Sequence, residues 1–132
     1  MTPEGKVKAA VKAVLARHTG LYHFMPVPYG IGESSLDFII CFRGVFIAVE
    51  TKVPGKSMTP RQNIQAGNIA AAGGAVFEIA SHSDVERFAA WLDELAATPE
   101  IENVISRSDG ERDIPKHRRA PPRRRGEPIP IE

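Results

Sequence analysis

Residues 36–52 read Leu36-Asp37-Phe38-Ile39-Ile40-Cys41-Phe42-Arg43-Gly44-Val45-Phe46-Ile47-Ala48-Val49-Glu50-Thr51-Lys52. Two β-rich apolar runs flank Arg43-Gly44, and that pattern predicts a hairpin with its tip at this pair. A two-residue tip sets Phe42 opposite Val45, Cys41 opposite Phe46, Ile40 opposite Ile47 and Asp37 opposite Glu50. A four-residue tip keeps the same pairs, whereas an odd-length tip or a bulge shifts them by one. In the even register the two acids face each other with Cβ atoms roughly 5 Å apart. Lys52 follows Glu50 by two residues and returns to the same face about 7 Å further on.

Like charges directly opposite one another destabilise a strand pair, so this placement needs a reason. The two runs are apolar on both faces. Ile39, Cys41, Phe46 and Ala48 share the acidic face, and Phe38, Ile40, Phe42, Val45, Ile47 and Val49 take the other. Such a sheet is normally covered on both sides. Two carboxylates at its end call for positive charge, part of it from Lys52 and the rest from a divalent metal. The competing reading is a solvated surface cluster, which contributes little.

Upstream, residues 2–18 read as a helix with Thr2 at the N-cap, Pro3 in the first turn and Thr19-Gly20 at the stop. Val7, Val11, Val14 and Leu15 form its apolar stripe, with Lys6, Lys8, Lys12 and Arg17 largely outside it. Glu4 extends the stripe by one turn, or acts as a favourable acid at a helix N-terminus. Residues 21–29 predict an edge strand containing prolines. Gly30-Ile31-Gly32-Glu33-Ser34-Ser35 is the loop into Asp37. Its serines are candidate phosphate donors or plain turn residues.

Downstream, Val53 to Met58 is a short loop carrying Lys56, a candidate phosphate contact or a solvated lysine. Thr59-Pro60-Arg61-Gln62 is a capping box with proline at the first helical position, opening a helix to about Ala72. Gly73-Gly74 ends it. Residues 75–80 predict a fourth strand. Ser83 and Glu86 frame a second capping box for a helix through about Ala97, with Val85, Phe88, Ala89, Leu92 and Leu95 inward and Trp91 at the core margin. The order α-β-β-β-α-β-α implies an α/β fold, with a mixed four-stranded sheet flanked by helices.

The chain has 132 residues, 42% of them hydrophobic and 25% charged, the profile of one globular domain. No apolar stretch approaches the ~20 residues a membrane span needs, so no membrane partner is expected. Residues 1–105 hold 9 Lys/Arg against 11 Asp/Glu, and residues 106–132 hold 8 against 5. The first part is therefore read as the folded domain. The second, rich in proline and arginine and without periodicity, is read as a basic disordered tail that either holds DNA loosely or is merely solvated. One cysteine, Cys41, is read as a small buried hydrophobe. His18, His23, His82 and His117 lack zinc-ligand spacing, and no nucleophile elbow is present.

Asp37, twelve intervening residues and then Glu50-Thr51-Lys52 resemble the D…ExK signature of the PD-(D/E)xK nuclease superfamily. The acidic first helix, the Gly-x-Gly…Ser-Ser-Leu-Asp lead-in and the Thr-Pro-Arg-Gln helix start narrow the resemblance to a stand-alone VRR-NUC (virus-type replication-repair nuclease) domain over roughly residues 3–95. Leu36 replaces the superfamily's proline. The resemblance implies a restriction-endonuclease-like core and a Mg²⁺- or Mn²⁺-dependent DNA endonuclease that leaves a 5′-phosphate and a 3′-hydroxyl. The resemblance further implies action on junctions or branched DNA as a homodimer, in the cytoplasm of a bacterial host, with the chain encoded by a phage or prophage. Asp37, Glu50, the Thr51 carbonyl and, as an auxiliary ligand, Glu4 become the metal set. Lys52 and Gln62 join the two acids as catalytic candidates. Ser34, Ser35, Lys56 and Arg61 become candidate DNA contacts. The alternatives are an inactive DNA-binding module of the same fold, or a phage structural or partner-binding protein.

Overall fold

The computed structural model describes residues 1–27 and 35–98. The elements run α1 (Pro3–Leu15), β1 (Tyr22–Phe24), β2 (Phe38–Phe42), β3 (Val45–Thr51), α2 (Pro60–Ala71), β4 (Ala75–Ile79) and α3 (His82–Ala96). Residues 1–98 make one compact unit. The expected domain limit at residue 105 and the tail 106–132 lie outside the described residues. Among the described residues no helix is long and apolar enough to cross a membrane.

The hairpin has the expected register, from Phe42↔Val45 to Phe38↔Val49. Its tip is tight because Arg43 (φ 55°) and Gly44 (φ 80°) both take left-handed backbone, the geometry of a type I′ turn. A non-glycine residue pays a steric penalty there. The Arg43 guanidinium donates to the Thr98 carbonyl, which ties the tip to the end of α3. β1 adds antiparallel to β2, and β4 adds parallel to β3 across the α2 crossover, giving the order β1-β2-β3-β4.

One sheet face carries Phe38, Ile40, Ile47, Val49 and Ile79, all buried under Val11, Val14 and Leu15 of α1 and Val85, Phe88 and Leu92 of α3. Phe77 packs edge-on to Phe88 and to Trp91, each at 4.9 Å between ring centroids, so Trp91 borders the core as expected. The opposite face is covered less than two apolar faces predict. α2 lies over it, yet no residue of α2 is buried in the described structure. Two end contacts position α2. At its close, Gly74 passes so near Ile69 and Phe46 that a Cβ would sit 2.7 Å from the Ile69 side chain. At its start, Gln62 reaches the sheet. Even so, Tyr22, Phe24 and Phe46 stay 63%, 46% and 45% exposed. Cys41, paired with Tyr22 on this face, is exposed rather than buried.

Three local expectations change. α1 ends at Leu15 rather than at residue 18. Arg17 and His18 donate back to Val14 and Leu15 in a tighter turn. β1 is only three residues long, and Pro26, lacking an N–H, follows soon after it. The cap of α3 is Ser81 with Asp84, not Ser83 with Glu86. The sequence offers both frames. The earlier one lets Asp84 Oδ2 accept from Ala80 N–H (2.9 Å) and Ser81 N–H (3.2 Å), donors left over where β4 stops.

Candidate active site

The β2–β3 ladder closes at Phe38↔Val49, and Asp37 sits in a bend one residue beyond it. Its backbone N–H therefore lacks a ladder carbonyl and donates to Glu50 Oε1 at 3.1 Å. Its carboxylate turns to the end of β3. Oδ2 accepts from the Thr51 N–H at 2.9 Å and from the Thr51 hydroxyl at 2.6 Å. These bonds lock the Asp37 rotamer and leave Oδ1 free of hydrogen bonds among the described residues. Thr51 is fully buried. In an extended strand its carbonyl points the same way as its N–H, toward Asp37. The cross-strand pair of acids thus exists, but with Asp37 bent out of the ladder onto Thr51 rather than standing square to Glu50.

Glu50 is 2% exposed, a buried carboxylate. Oε2 accepts from Gln62 Nε2 at 2.8 Å and lies 3.4 Å from Lys52 Nζ. Burial first, and the Asp37 charge second, raise its pKa above the ordinary 4.5; Lys52 and the Asp37 N–H pull the other way without cancelling the effect. Burial thus favours the neutral form of Glu50 more than Lys52 favours the charged one.

Gln62 holds two roles at the same time, one through each end of its amide. Oε1 accepts from the Thr59 N–H at 3.0 Å, completing the capping box, while Nε2 reaches Glu50. The helix start thus orients the acid. Lys52 stands just past β3, its N–H bonded to the Ile79 carbonyl at 2.9 Å.

The remaining candidates are more dispersed. Lys56 and Arg61 are exposed, as is Ser35, two residues before Asp37. Ser34 lies outside the described residues. Glu4 is half-buried in the first turn of α1, but no group of three or more His, Cys, Asp or Glu converges among the described residues. It therefore does not join Asp37 and Glu50 in one cluster. A residue that periodicity set aside takes the nearer place. Lys8, one turn beyond Glu4, brings Nζ to 3.8 Å from Asp37 Oδ1. Its position next to Val7, on the margin of the apolar stripe, is the signal that marks it. The Thr51 hydroxyl was also missed as a contact to Asp37, since a strand threonine carries no such mark.

No family model matches the sequence, and no curated protein matches it. A solved structure described as a VRR_NUC domain is similar to this chain, with a TM-score of 0.58 and 23% identity, covering 67% of this chain and 95% of that one. At that identity the likeness establishes the fold: three helices on a mixed four-stranded sheet, the restriction-endonuclease-like α/β arrangement of a VRR_NUC domain.

Proposed function

We propose that this chain, whose fold is that of a VRR_NUC domain, is a metal-dependent endonuclease that hydrolyses phosphodiester bonds in branched DNA. The observation that carries the reading is the buried Glu50 carboxylate held beside Asp37 with Lys52 at 3.4 Å. The donor set suits Mg²⁺ or Mn²⁺. Asp37 Oδ1, Glu50 and the Thr51 carbonyl are hard oxygen ligands, and such ions take one or two carboxylates and keep several waters. The raised Glu50 pKa, caused by burial and by Asp37, marks charge that a cation would satisfy. When bound, the ion supplies Lewis-acid stabilisation of phosphoryl charge and a more acidic water.

The chain's own residues do the rest. Thr51 holds Asp37 by Oδ2, so that Oδ1 stays available. Gln62 and the Asp37 N–H fix Glu50 from two sides. Lys52 orients or deprotonates the attacking water, or offsets charge on the phosphoryl group. The products are a 5′-phosphate and a 3′-hydroxyl. Two copies of the chain form the cutting unit, one for each strand. The exposed apolar residues Tyr22, Phe24 and Phe46 are surface that a second copy would cover.

The test is a nicking assay on branched and linear DNA, with melting curves in EDTA and in Mg²⁺. Wild type cuts and gains stability from Mg²⁺, because a ligand of the folded state stabilises it by mass action. Asp37→Asn retains both Thr51 bonds through its carbonyl oxygen. It melts within about 1 kcal/mol of wild type in EDTA, since its lost Lys8 pair is partly exposed, but it neither cuts nor responds to Mg²⁺. Lys52→Ala responds to Mg²⁺ but does not cut, and it melts lower in EDTA because Glu50 loses its cation. Full cutting by Asp37→Asn ends the assignment. DNA binding without cutting by wild type points to a binding module, and neither activity points to a structural protein. Sedimentation equilibrium on the same sample checks the paired unit, which a monomer at micromolar concentration would remove.

A further inference from the structure

The acid pair is flanked by lysines on two sides. Lys52 stands at Glu50, and Lys8 comes from α1 to Asp37. The two contacts differ. Lys52 has a side chain 16% exposed at 3.4 Å, while Lys8 is 34% exposed at 3.8 Å, an ion pair outside hydrogen-bond range. Among the described residues no hydrogen bond engages the Lys8 ammonium. Asp37 does not need it for position either, because Thr51 already holds Oδ2 with two bonds. A weak, partly solvated pair contributes little to the fold, yet it keeps a cation beside the site.

The sequence position explains how it stays there. Lys8 follows Val7 and precedes Val11 by three residues, so its stem lies along the edge of the stripe by which α1 docks on the sheet. The helix is anchored by Val11, Val14 and Leu15, all buried. The ammonium is thus delivered from rigid structure rather than from a loop. Charge accounting favours an anion as its second partner. Asp37, Glu50, Lys8 and Lys52 sum to zero. A divalent cation would leave the site at +2, enough for a phosphodiester and one further anionic group.

We propose that Lys8 receives a phosphate of bound DNA beside the acid pair, a substrate-positioning contact that rests on the nuclease reading above. The amine leaves a loose pair with Asp37 for a full hydrogen bond to a phosphate oxygen, and no covalent step is involved. The contact is sequence-independent, as backbone contacts are.

The experiment measures binding of labelled branched DNA to the full chain between 50 and 200 mM salt, with Ca²⁺ in place of Mg²⁺. Wild type, Lys8→Ala and Lys8→Arg are compared, and steady-state cutting in Mg²⁺ is measured beside them. Loss of one duplex phosphate contact lowers the slope of log K against log salt by about 0.9 in Lys8→Ala. Lys8→Arg keeps the wild-type slope. In Mg²⁺, Lys8→Ala raises KM with kcat little changed, the pattern of lost binding common to ground and transition states. Melting temperatures in EDTA stay close, since alanine suits a helix interior and the Lys8 pair with Asp37 is weak and partly solvated. An unchanged slope and affinity in Lys8→Ala, or equal losses in Lys8→Ala and Lys8→Arg, overturns the proposal while a cutting wild type leaves the nuclease reading standing. A wild type that binds DNA without cutting overturns the nuclease reading, and the slope still decides on Lys8. A wild type that binds no DNA overturns both.

Discussion

Replacing Gln62 by glutamate keeps the shape of the side chain and exchanges one amide NH₂ for an oxygen. The oxygen that accepts the Thr59 N–H at 3.0 Å is retained, so the cap survives. The nitrogen that donates to Glu50 Oε2 at 2.8 Å becomes an acceptor facing an acceptor. Loss of a hydrogen bond to a charged group costs about 1.5–3 kcal/mol. The added like charge raises this further, until the pair takes up a proton between the two carboxylates. Gln62→Glu is therefore destabilised by at least about 2 kcal/mol at pH 7 in EDTA, a fall of roughly 10 °C or more in Tm for a domain of this size. The deficit shrinks as pH falls toward 5 and the shared proton binds. It shrinks also on adding a divalent cation, since three carboxylates then face one ion. Thr59→Ala, which removes the cap and leaves the Glu50 bond, costs about 1 kcal/mol with no such pH dependence. Thermal melts of the three proteins at pH 5, 6 and 7, with EDTA or Mg²⁺, measure all of this. A Gln62→Glu protein that melts with wild type at pH 7 in EDTA, or that tracks Thr59→Ala at every pH, refutes the link between α2 and Glu50.

Two further outcomes follow from charge. The Glu50 pKa is raised above 4.5 in the folded state, so the native protein binds that proton more tightly than the unfolded chain. By linkage, metal-free stability rises as pH falls through the folded value toward 4.5, and Glu50 costs stability above that window. As pH falls toward 4.5, Tm in EDTA therefore increases more in wild type than in Glu50→Gln, and equal slopes refute it. Asp84, lowered from 3.8 chiefly by the Ala80 N–H, acts in the opposite sense below that value and stays outside the window. Removing residues 107–132 deletes a segment with a net positive balance of Lys and Arg. The truncated chain keeps its Tm and its Mg²⁺ response but binds DNA more weakly at low salt. Unfolding on truncation, or an unchanged salt dependence, contradicts the reading of that segment as a separate basic tail.

The placement of Glu50, Gln62 and the hairpin was legible because each depends on short-range chemistry. A left-handed pair at Arg43-Gly44 with an even tip sets the register, and alternation then carries Glu50 to the same end as Asp37. Thr59-Pro60-x-Gln62 starts a helix by a rule that needs no distant partner. The α3 cap shows where such rules stop. Two overlapping Ser-x-x-acid frames are equally good locally, and the free N–H groups at the end of β4 choose between them. The burial of Cys41 failed for a similar reason. Apolar alternation states that a face is able to be covered, whereas the position of α2 determines how far the cover extends.

By itself the sequence determined the order of elements, the hairpin register and the nearness of Asp37, Glu50 and Lys52, since all three follow from dihedral preference and period-two alternation within a few residues. Tertiary structure alone decided how the pair is held. The bend of Asp37 onto Thr51, the reach of Gln62 from its cap to Glu50 and the approach of Lys8 each depend on how separate elements are placed in space. The physical reason is directional. A hydrogen bond or an ion pair forms over a few ångströms, and the distance from α1 or α2 to the end of β3 is set by core packing of Val11, Leu15, Phe38 and Ile47 and by the close pass at Gly74, not by any pattern along the chain.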